Sequence, residues 1–232
     1  EQVADSDPDF AAVQTQLDRS IISRTSVYAQ LDLARSLLDF AHQGLSSDLS
    51  PLLMQVLSQS QELGDGRAES YALGYLGEYS IQGQSLSDAQ TYLKQALTIA
   101  QTIHADDIAY RWQWQLGQLY AQQGNLNDAI ANYTDAVDSL QTLRSELVAI
   151  NPDIQYDFRE KVEPVYRELV NLLLTPSSDT AEDTQKKLSQ ARTVIESLQL
   201  AELENFFREP CLAAQQDIDQ LVDTTSNPTA VI

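Results

Sequence analysis

Residues 73–97 read LGYLGEYSIQGQSLSDAQTYLKQAL, and residues 113–137 read QWQLGQLYAQQGNLNDAIANYTDAV. The two stretches align without a gap and define a 40-residue period. The shared positions include Leu76/Leu116, Gly77/Gly117, Asp88/Asp128, Ala89/Ala129 and Ala96/Ala136. A fixed period of this length is typical of a solenoid, in which one supersecondary unit is repeated and stacked. The period therefore predicts a row of similar units instead of an arbitrary helical bundle.

The same register continues toward the N-terminus in a more divergent copy, where Leu33 aligns with Leu73 and Leu53 with Leu93. One further step back places Val13 at a second-helix position, so the chain is expected to begin inside a repeat and to be a piece of a longer protein. The predicted organisation is a partial repeat in residues 1–29, three repeats in 30–149, a helical hairpin in 150–211 and a linker toward a further domain in 212–232.

Each copy is predicted to form two helices that pack as an antiparallel hairpin. Residues 83–85 and 124–125 supply the breaks between helices, and Ser85 or Asn125 would cap the helix that follows. The glycine of each Leu-Gly pair is predicted where the two helices come closest, since a larger side chain there would force them apart. In the C-terminal hairpin, Pro164 is expected to kink the first helix.

Composition supports a helical protein and limits its partners. The chain has 8 Gly and 7 Pro among 232 residues, and 43% of its residues are hydrophobic. Its 34 acidic and 14 basic residues give a net charge of -20, which would repel a nucleic acid backbone. No run approaches the roughly 18 apolar residues of a membrane span. Cys211 is the only cysteine, so no intramolecular disulfide forms, and the compartment stays open with the cytoplasm favoured over secretion.

The copy at residues 116–136 resembles the tetratricopeptide repeat (TPR) pattern Leu-Gly-x-x-Tyr…Ala-x-x-x-Phe…Ala. The matching residues are Leu116, Gly117, Tyr120, Ala129, Tyr133 and Ala136. The preceding copy has Ser80 and Leu93 at the aromatic positions, neither copy has the usual Trp, and the period is longer than that of the family by six positions. The resemblance implies an all-α fold, namely a TPR-like α-solenoid forming a right-handed superhelix of antiparallel hairpins.

A second resemblance covers the C-terminal part of the chain. Residues 143–147, 158–169 and 194–208 are similar to segments that precede the CHAT domain, a caspase-like domain associated with TPRs, in bacterial and especially cyanobacterial proteins. In that family the His and Cys dyad follows this region, so no residue here inherits a catalytic role. The resemblance implies a regulatory or recognition arm, with the CHAT domain of the same chain as one partner.

The TPR resemblance also implies a groove lined by the first helix of each copy. Its expected lining is Leu31, Ala34, Leu38 and His42 in the first copy, Tyr71, Glu78, Ile81 and Gln82 in the second, and Arg111, Trp114, Gln118 and Gln122 in the third. Aromatic anchors beside hydrogen-bonding groups suit an extended peptide or a partner helix. For Tyr71 and Trp114, packing against the neighbouring hairpin is an equal expectation, and Tyr110 and Trp112 are expected to face the preceding repeat.

Three functions remain open at this stage. The preferred one is a protein-interaction and regulatory module that binds a protein or peptide, without catalytic residues, metal or cofactor. The second is a stand-alone adaptor that bridges two proteins. The third is an independent hydrolase using Cys211 with His42 or His104, which is disfavoured because a stacked solenoid would keep these groups apart, whereas a dyad needs hydrogen-bond reach.

Overall fold

The computed structural model describes residues 22–41, 48–147, 162–176 and 180–207. This part of the chain contains helices and connecting turns but no β-strand, which confirms the predicted all-α fold class. The helices, numbered here in chain order, are α1 (Arg24–Ala41), α2 (Ser50–Glu62), α3 (Gly66–Gln82), α4 (Leu86–Thr102), α5 (Asp106–Gln122), α6 (Leu126–Leu147), α7 (Glu163–Leu173) and α8 (Ala181–Phe207).

The middle of the chain is built from equal helix-and-turn units. Helices α3, α4 and α5 each contain 17 residues. Helices α3 to α6 begin at Gly66, Leu86, Asp106 and Leu126, so their starts are evenly spaced at half the sequence period. The 40-residue period of the sequence is therefore two units long, with one first helix and one second helix in each period.

The turns between these helices share one conformation. Gly64, Gln84, His104 and Gly124 all have positive φ angles, between 54° and 77°. In each turn the next residue donates its N–H to the carbonyl five residues back, at 2.8–2.9 Å. This is the Schellman ending, in which a left-handed residue after the helix satisfies its last carbonyls. The predicted break at residues 83–85 is confirmed, but Gln84 takes the left-handed position and Gly83 keeps a φ of -76°.

Helix capping agrees with the sequence at one of the two predicted positions. Asn125 accepts a hydrogen bond from the Asp128 N–H at 3.4 Å, as predicted. The prediction for Ser85 is wrong, since its side chain makes no capping hydrogen bond to α4. Asp65, which was not predicted as a cap, caps α3 by accepting from the Ala68 N–H at 3.2 Å.

Consecutive helices pack against each other along the chain from α1 to α6, and the first helices also pack side by side, α1 on α3 and α3 on α5. This is the packing of a helical repeat. A first core cluster joins buried side chains from α1 to α6, and a second core cluster joins side chains of α5, α6, α7 and α8. The handedness of the superhelix stays a prediction.

Glycine permits close contact inside two hairpins, as predicted. A methyl group placed on Gly77 would lie 2.7 Å from Leu93 Cγ of α4, and one on Gly117 would lie 2.5 Å from Tyr133 Cδ2 of α6. Both distances are shorter than van der Waals contact. The two Leu-Gly pairs therefore mark the places where the second helix lays a large side chain directly on the backbone of the first.

The C-terminal hairpin consists of α7 and α8, which pack on each other, while α7 also packs on α6. Pro164 lies in the first turn of α7, a position at which proline is well tolerated. The residues before Val162, on which the predicted kink depends, lie outside the described residues, as do residues 1–21 and 208–232. Among the described helices, none is both long and apolar enough to span a membrane.

Candidate interaction surface

The first helices share a face, here called the α1–α3–α5 face, on which side chains of three consecutive units meet. It is made by Arg35 of α1, Tyr71, Tyr75 and Glu78 of α3, and Arg111 and Gln115 of α5. The repeat register explains this grouping, since Arg35, Tyr75 and Gln115 occupy equivalent positions in successive periods, and so do Tyr71 and Arg111. A linear row of equivalent positions follows directly from stacking similar units.

Glu78 is the centre of the polar contacts on this face. It accepts two hydrogen bonds from Arg35 Nη1, at 3.1 and 3.2 Å, and a third from Gln115 Nε2. Arg35 also pairs with Asp39 at 3.1 Å, one turn along α1. Burial raises the pKa of Glu78, and the guanidinium of Arg35 lowers it by a smaller amount. Glu78 thus links three first helices through a carboxyl that is largely withdrawn from water.

Aromatic rings lie beside this polar group. Tyr71 and Tyr75 have ring centroids 6.0 Å apart, and each lies 6.2 Å from Trp112 in an edge-on arrangement. Trp112 is buried and packs on the backbone of Gly74, where an added Cβ atom would overlap the indole ring. Its Nε1 donates to Ser70 Oγ at 3.0 Å. Trp112 therefore packs on the preceding repeat, as predicted.

Two of the three tyrosines of α3, Tyr71 and Tyr75, each have an arginine over the ring. The guanidinium carbon of Arg35 lies 5.9 Å from the centroid of Tyr75, and that of Arg111 lies 5.9 Å from the centroids of both Tyr71 and Tyr110. Such cation–π contacts contribute about 0.5–1 kcal/mol at exposed sites and more when water is excluded. Burial raises the pKa of Tyr75 to about 12, although Arg35 opposes the shift.

Arg111 differs from Arg35 in its ionic contacts. Arg35 has two carboxylate partners, whereas Arg111 has no carboxylate within 4 Å in the described part of the chain. Arg111 Nε is shielded from water and has no hydrogen-bond partner among the described residues. The same is true of Gln115 Oε1. Two unpartnered polar atoms thus lie one helical turn apart on α5.

The third copy of the predicted groove is in contact with the C-terminal hairpin. Glu168 of α7 accepts hydrogen bonds at one oxygen from Trp114 Nε1 at 2.7 Å, Gln118 Nε2 at 3.2 Å and Tyr133 Oη at 2.5 Å. Burial raises the pKa of Tyr133, and its bond to the Glu168 carboxylate adds to the shift. Trp114 and Gln118 therefore contact α7, and Trp114 packs against the neighbouring hairpin, which is one of its two expected roles.

Among the remaining predicted lining residues, Ile81 is partly buried against the first core cluster, and the others fall into three groups. Gln82 lies beside α1 and donates to the Leu38 carbonyl at 3.4 Å, and Gln122 is exposed at the end of α5. His42 lies outside the described residues. The expectation for the first copy is wrong, because three of its apolar residues are buried in the first core cluster, namely Leu31, Ala34 and Leu38. Tyr110 also departs from expectation, since it belongs to the second core cluster.

Residues that were not predicted from the sequence take part in these contacts, namely Arg35, Tyr75, Gln115 and Glu168. The first three could have been inferred, because they share one register position that lies one helical turn after the position of the predicted Tyr71 and Arg111. Glu168 follows the part of the chain in which the 40-residue register holds, so spacing gives no signal for it. Of the two histidines offered for a catalytic dyad, His104 is an exposed turn residue at a left-handed position, whereas His42 lies outside the described residues, as does Cys211.

No family model matches the chain, and no curated protein matches it. Among solved structures it is similar to the crystal structure of BtubC (BKLC) from P. vanneervenii. The sequence identity is 14%, the match covers 93% of this chain and 96% of that chain, and the TM-score is 0.43. Similarity at this level carries no argument about the family or function of this protein.

Proposed function

We propose that this chain is a TPR-like module that binds a protein or peptide on the α1–α3–α5 face. The observation that carries the proposal is the pairing of Tyr71 with Arg111. They occupy equivalent positions of adjacent repeats, both are only partly buried, and the guanidinium lies over the tyrosine ring. Tyrosine and arginine are enriched among the residues that dominate binding energy at interfaces, because each combines a large contact area with directional polar groups.

We further propose that the module regulates, or recruits substrate to, a caspase-like CHAT domain of the same protein. Support comes from the sequence resemblance of residues 143–147, 158–169 and 194–208 to segments that precede such domains. The regulatory proposal predicts coding sequence for a caspase-like segment with His and Cys after Ile232. A gene without that segment would favour a stand-alone adaptor that bridges two proteins.

The binding proposal is tested by comparing what the immobilised chain and its variants capture from a bacterial lysate, with quantification of each captured protein. A Tyr71→Ala, Arg111→Ala double variant should lose at least one specific protein that the wild-type chain retains. Arg192→Ala is the control, because Arg192 is exposed on α8, away from this face. If the double variant and the wild-type chain capture the same proteins in the same amounts, the α1–α3–α5 face is not the binding surface.

A further inference from the structure

The ionic environment of Arg111 sets it apart from other arginines of the described chain. Arg24, Arg35, Arg67 and Arg167 each have a carboxylate within 4 Å. Arg111 has none among the described residues, in a chain with 34 acidic and 14 basic residues. Its guanidinium carbon lies 5.9 Å from the ring centroids of both Tyr71 and Tyr110 instead.

Gln115 supplies a complementary atom on the same side of α5. Its Nε2 donates to Glu78, which leaves Oε1 without a donor. Flipping the amide to exchange its oxygen and nitrogen would not help, since it would set Oε1 against the Glu78 carboxylate. Helix α5 thus carries an unpartnered donor, Arg111 Nε, and an unpartnered acceptor one turn later, both shielded from water. Residues four apart on a helix are neighbours, with Cβ atoms about 5–6 Å apart.

An unmade hydrogen bond at a shielded polar atom costs about 1–3 kcal/mol, so two such atoms on one face need an explanation. A polypeptide in an extended conformation meets both needs. Its backbone advances about 3.3 Å per residue. A side chain and a backbone N–H that are within two residues of each other can therefore match the spacing between Arg111 and Gln115, which is one helical turn. A carboxylate is the side chain that best matches the planar guanidinium, because it can accept two parallel hydrogen bonds.

We propose that the bound partner is a polypeptide segment that presents one Asp or Glu side chain to Arg111 and a neighbouring backbone N–H to Gln115 Oε1. The inference rests on the proposed function and names the chemistry of its ligand. Arg111 and Gln115 are partly exposed as residues, whereas Arg111 Nε and Gln115 Oε1 are shielded from water, so the proposed contacts require the ends of both side chains to rotate on binding. The net charge of -20 repels polyacidic segments, so the acidic residue lies in an otherwise neutral or basic stretch.

The test uses two pools of fluorescent ten-residue peptides with both termini capped, so that no terminal carboxylate is present. One pool carries a single Asp or Glu in an otherwise neutral random sequence, and the other carries Asn or Gln at the same position. Fluorescence anisotropy is measured with the wild-type chain. We expect the acidic pool to bind about tenfold more tightly than the amide pool, as the loss of a charged hydrogen-bonding partner implies.

Arg111→Gln should abolish the difference between the pools, whereas Arg192→Gln, which removes the same charge from α8, should preserve it. If circular dichroism shows that Arg111→Gln is unstable, Arg111→Lys takes its place. Because this variant keeps the charge, it should retain part of the preference for the acidic pool. Equal binding of both pools to the wild-type chain overturns this inference and leaves the proposed function standing. Binding of neither pool to the wild-type chain also overturns this inference, and the capture experiment with the Tyr71→Ala, Arg111→Ala variant then decides the proposed function by itself.

Discussion

Tyr133 and Glu168 connect the repeat region to the C-terminal hairpin through a 2.5 Å hydrogen bond. The Tyr133 ring lies directly on the backbone at Gly117, and its hydroxyl continues past α5 to the carboxylate of α7. The aromatic residue of the TPR-like pattern thus has two roles. It fills the gap inside its own hairpin, and it anchors the next one together with Trp114 and Gln118.

Tyr133→Phe should lower the free energy of unfolding by about 1.5–3 kcal/mol, the usual contribution of a hydrogen bond to a charged group. The ring remains over Gly117, so the loss reports the hydroxyl alone. Denaturant unfolding measures it, and hydrogen exchange should show the larger loss of protection in α7. Tyr92→Phe is the control. Tyr92 is half-buried on α4, so this substitution removes a tyrosine hydroxyl that is far from Glu168. Equal effects of the two changes would contradict the anchoring role.

Gly74→Ala should destabilise the chain by about 1–3 kcal/mol, the range for overpacking a filled core. The added methyl group overlaps the indole of Trp112, which is only 1% exposed and is fixed by its bond to Ser70. Gly83→Ala provides the comparison. A methyl group at Gly83 meets only backbone oxygens at 3.6 Å or more, so this change should be neutral or stabilising. Thermal unfolding of both variants checks the prediction, and a stable Gly74→Ala chain would show that Trp112 can move.

The sequence was most informative where stacking imposes regular spacing. The 40-residue period identified the helices and the two close-packed glycines, and the TPR resemblance led to the prediction that Tyr71, Glu78 and Arg111 line a common groove. The period did not show which residues at equivalent positions are exposed. Leu31, for example, has the same register position as Tyr71, yet it is apolar and belongs to the first core cluster. Contacts made after the period ends could not be inferred at all. Glu168 reaches Trp114 across 54 residues, a pairing set by how α7 packs on α6.

His104→Gly should stabilise the chain by a few tenths to about 1 kcal/mol, because His104 takes a left-handed conformation that disfavours side chains with a Cβ atom. Glycine's greater freedom in the unfolded chain offsets part of the gain. The reverse experiment uses Gly64 and Gly124, which hold the same conformation with no atom within 4 Å of an added Cβ. Changing either to Ala should cost about 1 kcal/mol through the backbone alone. Chemical denaturation of the three variants measures these changes, and a destabilising effect of His104→Gly would contradict this account.

The buried carboxyl of Glu78 should make stability depend on pH in a direction opposite to that of ordinary salt-bridged carboxylates. Burial raises the pKa of Glu78 in the folded chain, so the folded state binds its proton more tightly than the unfolded state does. The resulting stabilisation is complete below the ordinary pKa of glutamate and is lost as the pH rises through the raised value. The stability of the wild-type chain relative to Glu78→Gln should therefore decline from about pH 4 upward.

Denaturant unfolding of both proteins at a series of pH values measures this difference and cancels the contributions of other carboxylates. Removing Arg35 gives an independent check, because its guanidinium lowers the pKa of Glu78. In an Arg35→Ala background the pKa of Glu78 rises further, so the decline relative to the Arg35→Ala, Glu78→Gln double variant should move to higher pH. A difference that grows with pH would mean that the Arg35 charge outweighs burial at Glu78, and that this face is held mainly by its ion pair.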